Sequence, residues 1–307
     1  MVIVKRWLLV LMMVTLGSFS LMTTTNAATV AVREDFGKYF EGFTSGTFVV
    51  YDESKDQYSV FNEQQSETRL TPCSTFKIYN SLIALETGAA SDENMVLSWD
   101  GQQRFLPVWN QDHTMASGIK NSVVWYYQAL ASRIGPEHMQ KYIDAIPYGN
   151  RDISGGITQF WLRSSLTISA KEQVELLRRL YHDQLPFSAR NMAIVRKIII
   201  QSDENGIVFS GKTGAGSIEG VYSIGWFVGV VEKGNNRYYF ATNIEAVNGA
   251  TGVKARDISR EILKSLGVYD SINLIKTRQS IRKKHPEMNV RLNIEKNFRI
   301  GVVSYAI

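Results

Sequence analysis

The chain has 307 residues, 44% of them hydrophobic and 21% charged, which suits one large globular domain or two modest ones and excludes a disordered or fibrous protein. Its formal charge of +5 suggests a nucleic-acid or membrane partner only until the charges are located. Lys5 and Arg6 carry +2, and residues 270–307 carry +5 from eight Lys or Arg against three Asp or Glu, so residues 28–269 are left at −2 with no basic face.

Residues 1–28 have the anatomy of a secretory signal. Lys5 and Arg6 precede an apolar run that begins at Trp7 to Val14 and fades through Gly17 and Ser20, and Thr25-Asn26-Ala27, or the pair shifted to Ala28, offers small residues for cleavage. An uncleaved anchor is the other reading, but Trp7 to Met22 is short for a span and contains Gly17, Ser18 and Ser20. The expectation is a secreted or periplasmic protein with no stable membrane insertion after cleavage. A single cysteine, Cys73, forms no internal disulfide, so the core must stabilise the fold unaided. Lacking a helix-borne base at a suitable spacing, Cys73 reads as a small buried neighbour of Ser74. His113, His138, His182 and His285 lie far apart without ligand spacing, so no metal is expected.

Gly46 to Tyr51 and Gln57 to Phe61 are β-rich runs joined by a polar stretch, a hairpin signal. Thr71-Pro72-Cys73-Ser74 opens a helical segment to about Glu86, stopped by Gly88. Asp92 to Gly118 shows little periodicity. Helical patterning returns from Asn121 to Arg133 and again after Gly135-Pro136. Ser169 and Glu172 form a capping-box pair opening a helix to about His182, and Ser188 begins another that ends near Ile200. Gly206 to Ser210, Tyr222 to Glu232 and Arg237 to Ile244 read as strands, with Lys233 to Asn236 as the turn between the last two. Gly252 to Leu266 is a closing helix. The order predicts an α+β fold in which the early hairpin joins the later strands in one antiparallel sheet flanked by helices.

Three short motifs lie along this framework: Ser74-Thr75-Phe76-Lys77, Ser122-Val123-Val124 and Lys212-Thr213-Gly214. A serine at a helix N-terminus meets unpaired backbone N–H groups and the positive end of the helix dipole, which stabilise a developing oxyanion. Positions i and i+3 share a helix face, so Lys77 projects beside Ser74. Apolar neighbours such as Phe76 and Ile78 would favour its neutral, basic form. Asp and Glu are absent from Thr71 to Leu85, so no nearby carboxylate competes for the role. Ser122, at the start of the next helix, reads either as a proton relay or as an N-cap. Lys212 would present positive charge from a strand, and Gly214 would let a substrate approach the backbone, with a β-turn as the other reading.

Together, and in this order, the motifs resemble those of penicillin-recognising serine enzymes, and in detail the class D, oxacillinase-type β-lactamases. Tyr148-Gly149-Asn150 is similar to that family's Y-G-N element, as are Phe160-Trp161-Leu162, the run from Leu166 to Tyr181, and Gly225-Trp226-Phe227-Val228-Gly229. The similarity spans roughly Asp35 to Tyr269. It implies a penicillin-recognising fold over residues 29–269, an antiparallel sheet flanked by helices with a mainly helical subdomain. It also implies β-lactam small molecules as partners, not nucleic acid. Ser74 would be acylated and Lys77 would carry a CO2-derived carbamate as general base, with no other cofactor. Trp161 would donate its indole N–H to that carbamate while Val124 keeps the pocket dry. The backbone N–H groups of Ser74 and Ala215 would form the oxyanion hole, and Lys212, Thr213 and Arg256 would hold the substrate carboxylate. Arg256 follows from its place in the last helix, where a surface arginine is the other reading. Residues 270–307 have no counterpart in the family, and their Arg282-Lys283-Lys284 cluster reads as a solvated extension or a binding arm. Two other functions stay open: a penicillin sensor that acylates without turnover, and a weak D,D-peptidase.

Overall fold

The computed structural model describes residues 28–269; the leader expected before Ala28 and the extension over 270–307 lie outside the described residues. Seven strands form one sheet in the order β1-β3-β2-β7-β6-β5-β4. They are β1 (Thr29–Val32), β2 (Ser45–Asp52), β3 (Gln57–Phe61), β4 (Ile200–Glu204), β5 (Ile207–Ile218), β6 (Val221–Lys233) and β7 (Asn236–Glu245). The expected β2–β3 hairpin is present, and β2 pairs antiparallel with β7, which brings the early strands beside the late ones.

The sheet is mixed, not wholly antiparallel as the sequence suggested, because β1 runs parallel to β3, pairing Thr29 with Gln57 through Val32 with Val60. β1 has four residues with mostly exposed side chains, so it carries no hydrophobic alternation by which to recognise it. β4, at the opposite edge, is similarly polar and exposed.

The helices are α1 (Glu63–Glu67), α2 (Lys77–Glu86), α3 (Met115–Lys120), α4 (Val124–Ala145), α5 (Ala170–Tyr181), α6 (Ala189–Ile198) and α7 (Gly252–Ser265). Alternation along the strands divides the core in two. Val49 and Tyr51 of β2, with Trp226, Val228 and Val230 of β6, join α2, α4 and α5 on one face. Phe48 and Val50, with Phe227 and Val231, join Ala255, Ile258, Ile262 and Leu263 of α7 on the other. α2 is buried on all sides from Lys77 to Leu85, so the helix behind the nucleophile runs through the core. The Ser169–Glu172 capping box opens α5, with both reciprocal bonds formed. Gly135, at φ +77°, interrupts α4 where the sequence places a break before Pro136.

Candidate active site

Ser74 sits in a 3-10 turn, Cys73–Phe76, that runs directly into α2. Cys73 enters the turn in the left-handed region at φ +50°, and Thr75 N–H donates to Pro72 O at 3.2 Å. The local helix is therefore tighter than the α-helix read from the sequence, but the side-chain relation holds: Lys77 Nζ donates to Ser74 Oγ at 2.7 Å. Lys77 is 0% exposed. Burial, and then the charge of Lys212, hold its amine well below the ordinary lysine value, so the neutral form is strongly favoured. Its Nζ lies 5.5 Å from the centre of the Tyr127 ring. Cys73 is buried as expected, and burial pushes its thiol up to about 12, which leaves no thiolate at neutral pH.

Ser122 is not a helix cap. It lies at φ +54° between α3 and α4, and the N-cap of α4 is Val123, which has no side chain able to cap. The left-handed residue turns its hydroxyl to the third motif, where Lys212 Nζ donates to Ser122 Oγ at 3.0 Å and to Thr213 O at 3.0 Å. Lys-Thr-Gly lies within β5, as the strand reading expected, and burial lowers Lys212 to about 7. Lys212 thus joins the second and third motifs, while Lys77 pairs with Ser74 inside the first.

Trp161 is fully buried against Phe76, with ring centroids 5.8 Å apart, and its indole Nε1 is buried without a hydrogen-bond partner among the described residues. An orphaned buried donor is costly and calls for an acceptor. Val124 begins α4, half-buried against the same core as α2. Ala215 follows Gly214 in β5 and pairs with Gly225 of β6. Arg256 lines a cavity of about 590 Å³ together with Lys212 and Thr213, with its Nε 3.6 Å from Asp257 Oδ1. Its helix reaches the strand because Gly252 has no side chain: a Cβ there would stand 2.8 Å from Gly214 O.

Gly214 serves a purpose that the sequence did not reveal. A Cβ on it would meet Pro72 O at 2.9 Å and Thr75 Cγ2 at 3.1 Å, so the missing side chain lets β5 close onto the nucleophile turn. Gly214→Ala should displace that turn and cost about 1–3 kcal/mol of stability by overpacking. Denaturant unfolding checks this, and an unchanged midpoint would show that the turn yields freely. Thr71 was also missed. Its hydroxyl donates to Trp161 O at 3.2 Å and accepts from Arg163 N at 3.1 Å, while its carbonyl accepts from Trp226 Nε1 at 2.9 Å. A single threonine before a proline carries no sequence signal for such a hub.

Residues 46–264 match the penicillin binding protein transpeptidase domain. The chain is 40% identical over 277 residues to "Probable beta-lactamase YbxI" of Bacillus subtilis (strain 168), covering 87% of this chain and 100% of that protein. It resembles the "Crystal Structure of Beta-lactamase class D from Bacillus subtilis" with a TM-score of 0.73 and 42% identity, over 77% of this chain and 97% of the other. It is also 37% identical over 241 residues to "Regulatory protein BlaR1" of Bacillus licheniformis, but while the match takes in 78% of this chain it spans 40% of that protein. Full-length likeness to a β-lactamase, on the fold shared with a class D structure, places the chain in the class D serine β-lactamase family.

Proposed function

We propose that the protein hydrolyses β-lactam antibiotics through an acyl-enzyme on Ser74. The observation that carries this reading is the 2.7 Å contact between Ser74 Oγ and a fully buried Lys77 amine, a nucleophile beside a lysine held in its basic form. In acylation, Ser74 Oγ gives up its proton on the Lys77 side and bonds to the lactam carbonyl carbon. The backbone N–H groups of Ser74 and Ala215 are assigned to the oxyanion. As the lactam C–N bond breaks, the Ser122 hydroxyl hands a proton to the departing nitrogen and takes in its place the proton that the base removed from Ser74, its oxygen held meanwhile by Lys212 Nζ at 3.0 Å. Lys212, Thr213 and Arg256 hold the substrate carboxylate, and water then releases the acyl group from Ser74.

The residues around Lys77 suit a carbamate. A buried amine held neutral can react with CO2, and the orphaned Trp161 N–H is a donor awaiting an anionic acceptor. When present, the carbamate would supply a carboxylate-like general base, held by Trp161, in a pocket kept dry by Val124. Trp161→Phe, which removes the donor and keeps a ring, should lower turnover about tenfold at ambient CO2, the worth of one hydrogen bond to a charged group. Added bicarbonate should restore part of that loss; equal turnover of variant and wild type in CO2-free buffer and in bicarbonate would remove Trp161 from the scheme.

Steady-state hydrolysis of a chromogenic cephalosporin tests the function itself. Turnover well beyond one equivalent supports the hydrolase. A one-equivalent burst that stalls would make the chain a sensor like the matching part of BlaR1, and preferential hydrolysis of D-Ala-D-Ala peptides would make it a peptidase. Export is proposed with the activity, on the strength of residues 1–28; none of the described helices is long and apolar enough to cross a membrane.

A further inference from the structure

The loop after Trp161 is held on both sides, and one holder reaches it from across the site. On the near side, Asn150 Nδ2 donates to Ser165 O at 2.8 Å and Ser165 Oγ donates to Asp152 O at 2.9 Å. On the far side, Arg163 Nη1 donates to Ser223 Oγ at 2.9 Å. Ser223 is available because the β5–β6 register shifts there: Gly216 pairs with Ile224 and Ser217 with Tyr222, leaving Ser223 as the extra residue of a bulge. The arginine stem crosses β5 at Gly216, where a Cβ would stand 3.0 Å from Arg163 Cγ and 3.2 Å from Cys73 Sγ. Gly216 directly follows Ala215. Arg163 itself lies in the left-handed region at φ +51°, a conformation that a non-glycine residue keeps only where its surroundings fix it. Its N–H shares the Thr71 hydroxyl with Trp161 O, so a pull on Arg163 is felt two residues away at Trp161.

We propose that Arg163 is a positioning residue: by strapping the Trp161 loop to the β6 bulge at Ser223 it aims the Trp161 N–H, and so sets how readily Lys77 holds its carbamate. This role rests on Lys77 being carboxylated. Arg163 touches none of the reacting atoms assigned above and acts through Trp161. The strap also lies over Cys73, a residue only 1% exposed, so its thiol reports whether the loop has opened.

The test is carbamate occupancy of the full chain, followed by 13C NMR during titration with 13C-labelled bicarbonate, alongside the rate at which a thiol reagent modifies Cys73. In Arg163→Ala, half-occupancy should need about five times more bicarbonate than in wild type, the scale of one ordinary hydrogen bond, because the lost Arg163–Ser223 contact reaches the carbamate only through Trp161. Cys73 modification should be at least about tenfold faster, by release of the loop from a closed state. Turnover at saturating bicarbonate should stay close to wild type, and Arg163→Lys should recover part of the occupancy. Ser223→Ala removes only the acceptor and should move both readouts the same way, which keeps the test open if Arg163→Ala folds poorly. An unchanged bicarbonate requirement in folded variants overturns the assignment whatever Cys73 does. A wild type with no carbamate signal overturns both the carbamate reading and the role of Arg163, whereas a wild-type signal with unaffected variants overturns the latter alone.

Discussion

Replacing Ser74 with alanine is expected to lower β-lactam turnover by on the order of 10⁴-fold or more, the scale on which removing an activated nucleophile acts. The loss has no route around it. Cys73, the adjacent nucleophilic atom in sequence, is buried and pushed up to about 12, so its thiolate is not available to take over. Ser122 Oγ is held by Lys212, whose donated hydrogen bond withdraws electron density from the oxygen and makes it a poorer nucleophile. Stability should change little, by about 1 kcal/mol, since the substitution removes one hydroxyl and one hydrogen bond. Mass spectrometry of the wild type with a slowly released β-lactam should place the adduct on the peptide holding Ser74. That peptide also holds Cys73, so fragmentation must separate the two, and an adduct on the thiol would sink the assignment.

What the sequence revealed and what it withheld divide along local and non-local interactions. The pairing of Ser74 with Lys77 was legible because i and i+3 share a face in any helix, and it survives the finding that this first turn is 3-10. The Ser169–Glu172 capping box and the break at Gly135 were legible for the same reason, each being written in a few consecutive residues. Ser122 was misplaced as a helix start because nothing local announces φ +54° at a serine; the partner that makes the conformation useful, Lys212, is 90 residues away. Gly214 looked like a place for a substrate to approach, and only the folded chain shows Pro72 O standing where its Cβ would go. β1 found its parallel partner β3 across an intervening hairpin strand, and no pattern within Thr29–Val32 could have specified that. Arg163 and Ser223 meet over 60 residues, by way of a bulge that exists only once β5 and β6 have paired.

The second large effect is on pH. Turnover is expected to fall in mild acid and to be partly restored by bicarbonate, and the direction follows from Lys77. Its amine is held well below the ordinary lysine value first by burial and second by Lys212, so it takes up a proton only as pH falls, and a protonated amine is neither a base nor a partner for CO2. The same displacement bears on stability with a definite sign. At neutral pH an unfolded lysine holds a proton that folded Lys77 does not, so this residue makes the fold more stable as pH rises toward the ordinary value of 10.5. The alkaline side belongs to Lys212, which burial lowers to about 7 and whose positive charge the substrate carboxylate needs. kcat/KM, which reports the free enzyme, should therefore trace a bell whose upper limb falls through about pH 7. The charge of Lys212 reaches Lys77, so a negative group placed on Lys77 would raise Lys212, and bicarbonate should move that upper limb to higher pH as well as lift the maximum. Lys77→Ala should abolish the acid limb and cut kcat/KM by about 10²–10⁴-fold, the usual worth of a general base. If degassed wild type in mild acid keeps full turnover and bicarbonate shifts neither limb, Lys77 works as a free amine. The orphaned Trp161 N–H would then need another acceptor, while Ser74 would remain the nucleophile.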